Sequence, residues 1–184
     1  MRKAAVLAVL LCCAACAGAP VRETPAVHAR LAEAESRAAS LVRAGDYAGA
    51  ARKYDEALRI AASMENADAI GANAVNLATV YQWLGRTAQA RDALAIVLDD
   101  ARRPFPEERR LQAELRRAIL ELALRNPGGA AAWAERAERR CASGCPYAAA
   151  LWNVQAQIAL DTARPEEAAR FAQRAFERSR ARGE

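Results

Sequence analysis

Apolar positions along this chain recur at the three-and-four spacing of helices, and no segment alternates apolar and polar residues long enough to form a strand. The periodic runs predict eight helices, at about 27–44, 47–63, 67–84, 87–102, 106–125, 128–141, 147–162 and 165–181. Turn chemistry separates them. Gly45 and Gly85 fall between runs, where glycine reaches the positive φ of a tight reversal, and Asp46 is placed to cap the helix that follows. Asn126-Pro127-Gly128-Gly129 makes a further break, and Pro165 ahead of Glu166 and Glu167 is a helix-start signal.

The runs also repeat. Gly45-Asp46-Tyr47-Ala48-Gly49-Ala50, continuing to Tyr54 and Ala57-Leu58, returns as Leu84-Gly85-Arg86-Thr87-Ala88-Gln89-Ala90, with Leu94 in the place of Tyr54. A third copy sets Ala130 and Ala137 in the same register. A fourth has Trp152, Ala156 and Ala159, then Ala168, Ala172, Ala175 and Phe176. The small residues let helix backbones approach, and Tyr54 fills the gap between units. This pattern resembles the tetratricopeptide repeat over residues 31 to 181. Ala50, Ala90, Ala130 and Ala168 are spaced by 40, 40 and 38 residues, against about 34 in that family. The family's repeat-ending proline is replaced by Ala62, Arg102 and Ala142. The resemblance implies an all-α, TPR-like helical-repeat solenoid of about four antiparallel helix pairs, stabilised by stacking each pair on its neighbours.

Peptide partners of that family lie in a concave groove lined by the first helix of each pair. Carried over by register, the groove takes Glu35, Ser36 and Arg43 from the first unit. Val75, Asn76, Thr79, Gln82 and Trp83 come from the second. Arg116 and Ile119 follow from the third, then Asn153, Gln157 and Asp161 from the fourth. Amides and an arginine can pair with an extended peptide, and Trp83 has the character of an interface anchor. The alternative is an ordinary solvated face with one buried tryptophan. Some family members clamp a C-terminal carboxylate. Asn76 and Arg116 occupy two positions of that clamp, but Glu35, Ala39 and Gln112 replace the others, which argues against a clamp of that design.

The N-terminus reads as an address. Arg2-Lys3 is a basic start, Ala4 to Leu11 a short apolar stretch, and small residues follow up to Cys16. The segment resembles a bacterial lipoprotein signal. Cys13-Ala14-Ala15-Cys16 fits three positions of its lipobox and places Cys13 where leucine is usual. The resemblance implies a signal peptide over 1–15, lipidation at Cys16, a tether over 16–26 and the repeat domain over 27–184. Conventional cleavage after Ala15 or Ala17 suits the same small residues. Ala17 is not the aspartate associated with inner-membrane retention, so the implied location is the outer membrane, facing the periplasm.

Composition narrows the function. Hydrophobic residues make up 53% of the 184, yet aromatics only 5%, which suits alanine-packed helices better than a sandwich or barrel. The net charge is +5, of which Arg2 and Lys3 supply two, leaving +3 for the rest. Arginines are interleaved with glutamates, as in Glu107-Glu108-Arg109-Arg110, around Glu114, and in Glu135-Arg136. This predicts solvated faces of i, i+3 and i, i+4 pairs rather than a nucleic-acid surface. His28 is the single histidine, so two-histidine metal sites are excluded, and no glycine-rich phosphate loop is present. Cys141 and Cys145 flank a Ser-Gly turn, and an oxidising compartment favours their bridging. These features suggest no enzyme and no cofactor. They suggest an anchored scaffold that binds a protein or peptide in an envelope assembly, such as a pilus, secretion or outer-membrane machine. A cell-wall-active or peptidoglycan-binding repeat protein is the alternative.

Overall fold

The computed structural model describes residues 26–141 and 144–183; the expected leader and Cys16 lie outside them. The described residues form eight helices and no strand. These are α1 (Ala26–Arg43), α2 (Tyr47–Ser63), α3 (Ala67–Trp83), α4 (Thr87–Leu98), α5 (Glu107–Ala123), α6 (Pro127–Arg140), α7 (Ala148–Asp161) and α8 (Pro165–Arg182). Each helix packs on the next, and α5 also touches both α3 and α7.

Five of the seven links, those after α1, α2, α3, α5 and α7, are the same three-residue reversal. In the first, the Gly45 N–H donates to the Val42 carbonyl (3.0 Å) and the Asp46 N–H to the Leu41 carbonyl (2.9 Å). This is the Schellman pattern, which satisfies the last carbonyls of a helix. The middle residue must turn left-handed. Gly45 (φ 77°) and Gly85 (φ 70°) do so freely, whereas Glu65 (51°), Arg125 (57°) and Ala163 (58°) do so with a Cβ. Three of the reversals end on an N-cap. Asp46 accepts from the Gly49 N–H at 2.8 Å, Asn66 from Ala69 at 3.0 Å and Asn126 from Gly129 at 3.0 Å.

The link after α4 differs from the sequence expectation, which ran this helix to 102; it ends at Leu98. The Asp100 carboxylate accepts from the Arg102 and Arg103 N–H groups (3.0 and 3.1 Å), offering the backbone a turn instead of another helical rung. Pro104 and Pro106 then disfavour helix in the residues before them. Arg110 of α5 fastens the segment by donating to the carbonyls of Val97, Asp100 and Arg103, and Phe105 is buried with Arg103 and Arg110 over its ring.

Alanine sets the packing distance: Ala38, Ala50, Ala57, Ala74, Ala90, Ala113, Ala130 and Ala159 are fully buried. Two apolar clusters result. One joins α1 to α4 with Ala113 and Leu120 of α5; the other joins Leu111, Leu115 and Ala118 of α5 to α6 and α7. At the α6–α7 link the Cys141 and Cys145 sulfurs are bonded, with their Cα atoms 5.3 Å apart.

Candidate functional site

A cleft of about 340 Å³ opens between α3, α5 and the start of α7. Its geometry begins at Gly71. A Cβ built there would lie 2.8 Å from the Arg109 Cβ, so α3 and α5 approach this closely only because residue 71 has no side chain. Val75 and Asn76 of α3 face Gln112, Arg116 and Ile119 of α5 across the cleft, and Tyr147 and Ala150 close its far side.

One end carries a polar rim. Arg109 donates to Asp68 of α3 (2.7 Å) and to Gln112 (2.9 Å), and the Tyr147 hydroxyl donates to Glu108 (2.6 Å) while accepting from the Gln112 amide. Burial, then the bond to Glu108, raises the Tyr147 pKa above its ordinary value. This chain of bonds ties α3, α5 and the start of α7 together.

Arg116 is different. The other three arginines of α5 have partners: Arg109 has Asp68, Arg110 has its three carbonyls, and Arg117 has Glu121 at 2.8 Å. Arg116 is partly buried, makes no ion pair or hydrogen bond with the described residues, and has its pKa lowered by desolvation. The cleft lining contains two arginines and no acid.

The structure distributes the groove residues expected from the sequence over several places. Val75, Asn76, Arg116 and Ile119 line the cleft. Thr79 lies one turn along α3, with its hydroxyl donating to the Val75 carbonyl (2.9 Å), and Gln82 is partly buried with its carbonyl oxygen unpaired. Trp83 sits at the end of α3, 52% exposed, with its ring 5.0 Å from that of Tyr47. Asn153 is exposed on α7, and Gln157 donates to Asp161 at 2.8 Å. Ser36 and Arg43 are exposed on α1, where Glu35 accepts from the buried Asn73 at 2.7 Å. Arg109 and Tyr147 have no counterpart among the expected groove residues. Their roles depend on Asp68, 41 residues before Arg109, and Glu108, 39 before Tyr147, and local spacing carries no sign of either.

Two glutamates depart from the solvated pairs suggested by the sequence. Glu114 is buried and bonded to Arg140 of α6 (3.0 Å), 26 residues away, with Arg136 at 3.7 Å. Glu121 is also buried, held by Arg117 and by Asn126 at 2.9 Å. The Glu114 pairs join α5 to α6, whereas Glu121 is paired within α5 and with Arg91 of α4 at 3.8 Å. Among the described residues no group of three or more His, Cys, Asp or Glu is placed to hold a metal ion, and no helix is long and apolar enough to cross a membrane.

No protein-family model matches the chain, and no curated protein matches it.

Proposed function

We propose that the chain is a tetratricopeptide-like scaffold that holds a protein partner through the cleft between α3, α5 and α7. The observation that carries this reading is the cleft itself: apolar walls, amides and an arginine without an acid, set where three helices meet. Such a surface is suited to a chain segment, because apolar side chains supply the burial and amides pair with backbone groups. Successive contacts of α3 with α5 and of α5 with α7 support a stack of helix pairs, with first helices side by side.

The N-terminal pattern adds the setting. Lipidation at Cys16 would hold the domain at the outer membrane, facing the periplasm, and the partner would then be a component of an envelope assembly. That step is analogy from fold and anchor rather than chemistry of the cleft.

A photo-crosslinking residue placed at Asn76 or Ile119 in living cells, followed by mass spectrometry, tests the reading. One defined protein captured from these positions, and not from Arg170 on α8, is the expected result. Equal capture from Arg170 would overturn the cleft as the docking site. Membrane fractionation of a Cys16→Ser variant tests the anchor: it should leave the membrane fraction.

A further inference from the structure

α8 rests mainly on α7, with Ala168 and Ala175 buried beneath it. Its outer surface carries Phe176, 62% exposed, at the end of a stripe that starts at Ala169 and runs through Ala172 and Gln173. These four positions stand at i, i+3, i+4 and i+7, so they share one side of the helix, and all are exposed. A lone apolar residue on a surface needs no partner. Here the stripe is also bracketed by opposite charges. Glu166 lies one turn before Ala169 and Arg180 one turn after Phe176; both are exposed, and neither is ion-paired with a described residue.

We infer that α8 is a self-association surface, on which a second copy of this chain lays its own α8 antiparallel, about a two-fold axis between Ala172 and Gln173. That axis sets Phe176 of each copy over the partner's Ala169, so a large side chain meets a small one twice by symmetry. The same axis brings Arg180 of each copy beside the partner's Glu166. Charge order selects this direction. A parallel pair would place Glu166 against Glu166 and Arg180 against Arg180, and like charges facing each other oppose association. Ala172 at the axis lets the two backbones approach. One 18-residue helix, about 27 Å long, covers less than the ~800 Å² per partner of a standard interface, so the affinity belongs in the micromolar range. α8 contributes nothing to the cleft lining, and pairing through it leaves the cleft open.

Light scattering of the full chain over a concentration series tests the inference, and should show a monomer passing to a dimer. Phe176→Asp should weaken the dimer by roughly thirtyfold, as for a central apolar anchor. Its melting temperature should match wild type, because the side chain it replaces lies mostly in water. Arg180→Glu and Glu166→Arg should each weaken association by about fivefold, and the double variant should recover it. A folding defect would not produce that recovery. In intact cells, a short bis-maleimide should join Ala172→Cys chains to one another and leave Gln89→Cys chains, equally exposed on α4, unjoined.

A chain that stays monomeric at millimolar concentration overturns the inference, as does a dimer indifferent to Phe176→Asp. Ala172→Cys joined to a different protein and not to itself overturns the second copy as the occupant. A charge-swapped double variant no better than its single parents overturns the antiparallel register.

Discussion

Three of the five Schellman turns carry a side chain where the backbone turns left-handed, and replacing those residues with glycine should stabilise the protein. Glu65, Arg125 and Ala163 have φ of 51°, 57° and 58°, and all three are exposed and make no ion pair. Left-handed backbone costs an L-residue about 1–2 kcal/mol. Glycine gives back about 0.4–1 kcal/mol through the freedom it adds to the unfolded chain. The net gain is about 0.5–1 kcal/mol per turn. The turns lie at separate links and share no partners, so the triple variant should gain about 1.5–3 kcal/mol. At about 2–4 °C per kcal/mol for a chain of this size, its melting temperature should rise by roughly 3–12 °C. Thermal and urea unfolding followed by circular dichroism measure both quantities. Gly45→Ala supplies the mirror experiment. An added Cβ at Gly45 meets nothing within 4 Å, so its expected cost of about 1 kcal/mol is conformational alone. A triple variant no more stable than wild type, with Gly45→Ala also neutral, would refute the left-handed assignment of these links.

Other perturbations address the buried charges and the bridge. Arg140→Ala removes the hydrogen bonds to Glu114, whose side chain is 2% exposed, leaving it only Arg136 at 3.7 Å, and should cost about 2–3 kcal/mol in urea unfolding. Glu114→Leu should cost less, because the freed Arg140 and Arg136 side chains, 30% and 47% exposed, can reach water. Burial opposes charge on Glu121, but the bonds from Arg117 and Asn126 and the field of Arg91 outweigh it, leaving its pKa below the ordinary 4.5. That stabilisation is complete above pH 4.5 and disappears as the pH falls through the lower folded value, so acid titration of Glu121→Gln should show a shallower loss of stability than wild type. Reducing the Cys141–Cys145 bridge, which closes a short loop, should cost about 2 kcal/mol and lower the melting temperature by roughly 4–8 °C.

Periodicity made the helices legible: α2 spans the stretch expected for it, and the other helices except α4 differ by one or two residues at one or both ends. Alpha-helical spacing, glycine corners and N-caps are local signals, and local signals survive without coordinates. The end of α4 shows the limit. The expected helix ran on to 102, and only the structure shows the Asp100 side chain accepting from the N–H groups of Arg102 and Arg103 and stopping it. The left-handed Glu65, Arg125 and Ala163 were hidden because nothing in those residue types asks for positive φ; the tertiary fold imposes it. At the candidate site, repeat register placed Asn76 and Arg116, and not Arg117, on one surface, but it carried no sign of which of the two arginines would find an acid. One residue apart on α5, they face different surroundings: Arg117 meets a buried acid, and Arg116 meets none.

The double membership of α5 has a mechanical consequence. With Leu120 and Ala113 in one apolar cluster and Leu115 and Ala118 in the other, this helix is a party wall between two rooms. Disturbing it loosens both halves at once, whereas damage to α1 or α8 can fray from its own end. Force or a ligand acting on α5 is thereby felt in both clusters at once.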